Sequence, residues 1–393
     1  MRISKRWIPS VVVPAVIALG AVAVPLQANA VDLPDLSAAE VMVLMQQSDV
    51  LEFSGTILKV SDMGIPSLDF SSMVSQDMAD EMAEKMPAEF ADFVPAVIES
   101  NVLTQAMELA SGTHTVRIYV SGQDKMRAQI LDRMSQRDLI VNGNEFWIYN
   151  AKTATATTGT IDMEIDPTKQ ATAEQEILDY AASIALDLSS PEAIANYLVN
   201  MIDETSTVEV GKDHSVAGRT AYQLIISPDA EASLVERAEI SVDSETGLPL
   251  KVEVFSTQQS TAAMSVGFES VDFGPIDASL FDFTPPAGTV VSTWDSDDLE
   301  GYADKDAAAL EAEFGDTAKP EVIGEDWESV VYLSAMPADI PAGLMATELF
   351  ADMLTEVPGG KVFSSALVNV LLTDSGEVYM GAVTIEYLLS VSK

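Results

Sequence analysis

Residues 240–255 read ISVDSETGLPLKVEVF. Ile240 and Val242 alternate with Ser241, the DSETG segment turns the chain, and Leu250, Val252 and Val254 alternate with Lys251 and Glu253. Period-2 patterning on both sides of a Gly-containing turn describes a β-hairpin with one apolar face. Such a face has to be buried against another layer. That layer is either the chain's own core or a bound apolar ligand.

The same alternation recurs outward from this hairpin. Strand patterns occupy 52–61, 113–121, 125–131 and 153–165, and 137–150 reads as two strands about an Asn-Gly turn. A second series follows at 206–210, 220–227, 235–243, 249–256 and 264–273. Helical spacing interrupts them. Residues 36–48 carry Ser37 as N-cap, Glu40 at the capping-box position, and Val41, Leu44 and Met45 on one face. Residues 71–110 place Met78, Met82 and Met86 at i, i+4 and i+8, with Val97, Leu103 and Met107 as a second stripe. Two more helices, 172–186 and 190–202, precede the second strand series, the latter opening on Ser190 and Pro191. Strands, helices and strands again, all antiparallel through hairpins, predict an α+β fold with one large sheet and helices on one face.

Residues 283–291 close the sheet region, and 292–320 form an acidic, Ala-rich linker. The remaining 321–393, with a helix at 345–354 and a turn at Asp374, Ser375 and Gly376, is short for a core of its own. It is expected to dock on the main domain as a small α/β extension.

With 393 residues the chain holds one large domain or two ordinary ones. Its 20 Lys and Arg stand against 62 Asp and Glu, a net charge of -42. That field repels nucleic-acid phosphates and anionic membrane surfaces; it suits solubility, a saline habitat or a basic partner. The absence of cysteine excludes thiol, disulfide and lipobox-anchored chemistry. At the N-terminus Arg2, Lys5 and Arg6 precede an apolar run over 8–26 and the Ala28-Asn29-Ala30 pattern. These features read as a secretory signal peptide, 1–30, cleaved after Ala30. An uncleaved anchor is the other reading, with Pro9, Pro14 and Pro25 interrupting the run. Either way the protein is expected to be exported, to the cell envelope or beyond.

No catalytic pattern emerges. The two histidines, His114 and His214, lie amid strand patterns without a partnered motif, and no nucleophile elbow, zinc helix or phosphate loop is present. The acidic run from Asp295 has Glu300 where an EF-hand needs its turn glycine. No enzyme activity, metal or cofactor is expected; an envelope hydrolase using paired carboxylates has no motif to support it. The Met-rich insertion 71–110 reads either as an ordinary amphipathic cover on a core or as a lid over an apolar pocket.

With these residues in hand, the chain resembles the LolA-like family of exported actinobacterial proteins, in the superfamily of the LolA lipoprotein carriers and the RseB/MucB regulators. The resemblance rests on 36–57, 216–228, 238–255, 266–291 and 367–388, with 216–291 the most specific part. It implies a curved antiparallel half-barrel with helices against its concave face and, between them, an apolar cavity for acyl chains. In the regulators a similar fold senses lipid or mislocalised lipoprotein and binds an anti-sigma factor. They carry a second domain, of which 321–393 would be a reduced counterpart; 31–291 would be the lipid-binding domain. The chain departs from the mycobacterial glycolipid-carrying lipoproteins in lacking their anchoring cysteine, and from a minimal carrier in its long 71–110 insertion.

Two functions follow as expectations. The first is a non-enzymatic extracytoplasmic carrier of lipid or acylated lipoprotein, and the alternative is an RseB/MucB-like sensor that binds an envelope protein. Strand alternation nominates Leu58, Val60, Val116, Ile118, Val120, Met126 and Ile130 for the cavity, and the insertion nominates Met78, Met82 and Met86. Either Phe146 with Ile148 or Trp147 with Tyr149 faces inward.

Overall fold

A computed structural model describes residues 33–64, 112–131, 135–160, 205–294, 321–334 and 353–392. The signal segment, the helices expected at 71–110, 172–186 and 190–202, and the linker over 295–320 lie outside the described residues, as does all but the end of the helix expected at 345–354. Leu354, placed at the end of that helix, instead opens a strand.

Helix α1, Ala38–Gln46, forms where the capping box predicts it. The Ser37 N–H donates to Glu40 Oε2 at 2.7 Å and the Glu40 N–H donates to Ser37 Oγ at 3.3 Å. Two donors that a helix start leaves open are thus satisfied reciprocally.

The large sheet is curved and unclosed, with thirteen strands. Its first half comprises β1 (Glu52–Ser61), β2 (Gly112–Ser121), β3 (Lys125–Leu131), β4 (Gln136–Asn142), β5 (Glu145–Asn150) and β6 (Thr155–Thr160). The second half comprises β7 (Ser206–Val210), β8 (His214–Val216), β9 (Arg219–Pro228), β10 (Val235–Asp243), β11 (Pro249–Ser256) and β12 (Ala262–Asp272). Beside β1 lies β12, so the halves join through the first and last strands of the hairpin series. The expectation of an all-antiparallel sheet needs one correction. Strand β13 (Val290–Trp294) runs parallel to β6 at the edge, because residues 273–289 cross the sheet before β13 pairs. The β4–β5 loop is Gly143-Asn144, with φ +61° at Gly143, so the glycine takes the first central position.

A second sheet contains β14 (Glu321–Ile323), β15 (Val330–Leu333), β16 (Leu354–Val357), β17 (Gly360–Ser364), β18 (Asn369–Thr373) and β19 (Val378–Gly381), followed by α2 (Ile385–Val391). It has its own core of Val330, Val362, Leu371, Tyr379, Val383 and Leu388. It also shares one with the large sheet: Trp327, Ala366 and Leu367 pack against Ile226, Ala238 and Val254. Backbone bonds stitch the seam, Leu234 N–H to Ala382 O and Ala366 N–H to Met63 O, both at 2.8 Å. Inside it, the Trp327 indole N–H donates to the fully buried Ser206 Oγ at 2.7 Å.

The opening hairpin is therefore packed by the protein itself. Val242, Leu250, Val252 and Val254 are all buried. Helix α1 covers Val242 and Tyr222 through Val41, Leu44 and Met45, and the second sheet covers Val254. Asp243 organises the turn: its Oδ1 accepts from the Glu245 N–H at 3.0 Å, the Thr246 N–H at 2.8 Å and Arg219 Nη2 at 3.0 Å. Arg219 Nε also pairs with Asp243 Oδ2. Gly247, at φ +73°, sits against the Leu44 carbonyl, where any side chain would collide with the last turn of α1.

Two outcomes follow for stability. Trp327→Ala should cost about 3–5 kcal/mol, seen as a lower urea midpoint, whereas Trp327→Phe should cost about 1–2 kcal/mol by stranding Ser206. Burial pushes the Asp243 carboxyl up, but Arg219, Thr246 and Glu245 together outweigh it and hold it below its usual range. A depressed carboxylate stabilises fully above its unfolded-state value and loses that contribution as pH falls through the folded one. The stability gap between the native chain and Asp243→Asn should thus be flat from neutral pH down to about pH 5 and shrink below about pH 4. At neutral pH it should be about 2–3 kcal/mol, at the low end because the Arg219 side chain remains 24% exposed.

Candidate functional site

Residues paired across neighbouring strands project to the same face of a sheet. The register therefore divides β1–β5 into two faces. One row runs Ile57, Val116, Ile130, Arg137 and Asn150. The next runs Gly55, Ile118, Ala128, Leu139 and Ile148, and a third runs Phe53, Val120, Met126, Val141 and Phe146. These three rows form one apolar face. It continues across β12 into Val252, Ile240 and Leu224, the part covered by α1 and the second sheet.

The opposite face mixes a polar network with hydrocarbon, including the buried Ile140. Arg127 Nε and Gln129 Nε2 both donate to Asp138 Oδ1 at 2.9 Å, and Gln136 Nε2 donates to Oδ2 at 2.7 Å. The segment crossing towards β13 lies on this face. Arg127 Nη1 donates to the Leu280 carbonyl at 3.0 Å, and the Phe283 ring stands 5.4 Å from both Trp147 and Tyr149. The alternative left open at 146–149 is thereby resolved: Phe146 and Ile148 face the apolar side, while Trp147 and Tyr149 hold the crossing segment.

Of the nominated cavity residues, the register brings together Val116, Ile118, Val120, Met126 and Ile130. Leu58 and Val60 pair with Thr115 and Thr113 and lie on the opposite face, so they do not line up with the other five. Ile57 and Phe53 are the β1 residues on the same face as those five. The stretch EFSGTILKVS supports either parity, and only the pairing with β2 selects one. Met78, Met82 and Met86 lie outside the described residues. All five of the shared-face residues are half-buried, and none belongs to the packed clusters formed among the described residues.

Sequence reasoning missed the basic groups on this face. Lys59 pairs directly with His114 and lies beside Val266 on the other flank. Burial lowers the Lys59 amine from its ordinary value to about 8. Arg137 is almost wholly buried. A lysine inside an apolar run was the available signal, and it became readable only once Lys59 fell in step with Ile57.

A separate open cleft of about 680 Å³ lies between residues 34–36 and β7–β9, lined by Val210, Asp213, His214 and Tyr222 among others. Its polar groups are mutually engaged. Asp213 Oδ2 accepts from the Leu33 N–H at 3.0 Å, the Tyr222 hydroxyl donates to the Pro34 carbonyl at 3.2 Å, and His214 Nε2 is 2.9 Å from Ser241 Oγ. Burial, then the charge of Asp213, pushes the Tyr222 phenol up. These bonds tie the segment before α1 to the sheet. Among the described residues no cluster of three or more carboxylates and histidines is arranged to hold a metal ion. No helix among them is long and apolar enough to cross a membrane.

No family model matches the chain, and no curated protein matches it. Solved structures do. The MucA/MucB complex of Pseudomonas aeruginosa aligns at 12% identity with a TM-score of 0.39, covering 90% of this chain and 96% of that one. A LolA superfamily protein from Nitrosomonas europaea aligns at 7% identity and TM-score 0.22, covering 63% of this chain and 99% of the other. An uncharacterized conserved protein from Thermus thermophilus aligns at 8% identity and TM-score 0.32, covering 65% and 99%.

The Lys59 environment is testable directly. After reductive methylation with carbon-13 formaldehyde, the Lys59 resonance should titrate near pH 8, well below lysines in water at about 10.4. A midpoint near 10 would place the amine in solvent.

Proposed function

We propose that this chain is an exported, non-enzymatic member of the LolA/RseB superfamily that carries lipid or acylated lipoprotein. The observation that carries the reading is the three-row, mainly apolar face of β1–β5, most of whose apolar residues are half-buried and lie outside the packed clusters of the described residues. Burying one acyl chain there is worth about 0.8 kcal/mol per methylene, so even partial enclosure gives useful affinity. The proposed cavity residues are Ile57, Val116, Ile118, Val120, Met126 and Ile130. The N-terminal 30 residues would direct export, and 31–291 would form the lipid-binding unit.

The second sheet favours a second reading. A six-stranded unit with its own core, docked through Trp327 on the apolar face, is more than a minimal carrier needs. In this reading the protein is an RseB/MucB-like sensor: lipid on β1–β5 changes its affinity for an envelope protein. A basic partner would suit the net charge of -42.

Expression through the secretion route followed by native mass spectrometry decides between them. A stoichiometric acylated species should co-purify with the native chain, and Ile118→Asp, which puts a carboxylate in the middle row, should abolish it while leaving Tyr119→Asp on the polar face loaded. An empty, monodisperse protein would overturn the carrier reading. Capture of one envelope protein at low salt, released when lipid is added, would establish the sensor.

A further inference from the structure

Strands at the edges of the two sheets present backbone groups that are open to pairing with another chain. Strands β7, β14 and β16 each carry a glutamate at such an edge: Glu209, Glu321 and Glu356. Strand β13 has no such guard. From Val290 to Trp294 it contains no charge and no proline, and it pairs with β6 without a bulge. Among the described residues it pairs with no other strand. Val290 is 69% exposed and Val291 47%, and Ser292 and Thr293 are exposed as well.

The Val290 N–H donates to the Ala154 carbonyl at 2.9 Å. Backbone groups alternate in direction along a strand, so Val290 and Ser292 bond towards β6, while Val291 and Thr293 turn their N–H and C=O groups to the open side. A strand laid there gains main-chain hydrogen bonds with little demand on its sequence. Val290 and Ser292 continue two rows of the apolar face through Thr155 and Thr157, so an added strand would border the surface proposed for lipid.

Charge selects the occupant. In sequence β13 runs directly into Asp295, Asp297 and Asp298, and Glu145, paired with Thr160, lies at the same end of the sheet. Lys152, in the β5–β6 turn, stands at the other end. A second copy would bring a further net charge of -42 against this one. A cationic segment is drawn in by the same field.

We infer that the open side of β13 receives an extended segment of another exported protein as an added strand, one rich in Lys or Arg where it meets the Trp294 end. This rests on the sensor reading and gives that reading a docking place and a partner chemistry.

Fluorescence anisotropy with the full chain tests it, using as probe a blocked, labelled peptide with an alternating Val and Thr centre and lysines at both ends. One control peptide has glutamates for the lysines, and another has prolines for its central residues. The lysine peptide should bind at least about tenfold more tightly than either, the combined scale of two backbone hydrogen bonds, and rising salt should weaken it. Val291→Pro with Thr293→Pro removes both outward donors and spares the bonds to β6; it should lose the binding at an unchanged thermal midpoint. Val291→Lys, at an exposed position, should lose it too and serves if the proline variant does not fold. No binding of the lysine peptide, equal binding of the glutamate peptide, or binding indifferent to these substitutions overturns the assignment. So does a native dimer that Val291→Lys dissociates, which gives the edge to a second copy. No lipid enters the assay, so each of these results leaves the carrier reading standing. Capture of one envelope protein equally by the native chain and by Val291→Lys would keep the sensor reading and overturn only its docking at β13.

Discussion

The structure depends on a sheet whose apolar residues line up along one continuous face. Because side chains alternate, the register keeps one apolar set in line across β1–β5 and β7–β12, although β1, β4 and β5 also carry hydrocarbon on the other side. One layer cannot exclude water from both ends of so wide a surface. The solution over β7–β12 is composite. Helix α1 covers one end and the second sheet covers the other, with Ile240 in contact with both groups. The seam is held by backbone bonds as well as by apolar contact, which fixes the docking geometry that burial alone would leave loose.

Small irregularities let this surface turn. Bulges shift the register between β1 and β12, between β10 and β11, and between β11 and β12. Each adds local twist and bends its strand. The bulge near Thr56 has a visible purpose: Phe268 folds over Gly55, where a Cβ would come within 2.7 Å of the ring, and meets Phe53 edge-on at 6.0 Å. Polar residues do comparable work on the other side. Asp138, buried with three donors, and Arg127, reaching the Leu280 carbonyl, fasten the crossing segment so that β13 can join the far edge.

The functional proposal rests on a contrast in chemistry between the two halves of one face. Over β7–β12 the apolar surface is spent on the fold. Over β1–β5 it is half-buried, free of carboxylates, and graded from basic groups to hydrocarbon.

Much of the fold was legible in the sequence because it follows from local rules. Alternation located β9–β12 within a residue or two, Ser37 and Glu40 marked the start of α1, and DSETG marked the turn that Asp243 organises. The candidate face was partly legible: alternation along β2 and β3 puts Val116, Ile118, Val120, Met126 and Ile130 on one side, as the register has them. In β1 both parities carry hydrocarbon, and only the pairing with β2 sets Ile57 and Phe53, rather than Leu58 and Val60, on that side. The sequence by itself determined which segments are strands and that they are one-sided. Only the tertiary structure decided what covers the β7–β12 part of that side, and that β13 pairs parallel with β6. Those outcomes depend on pairing between residues far apart in the chain, and no local pattern encodes that register.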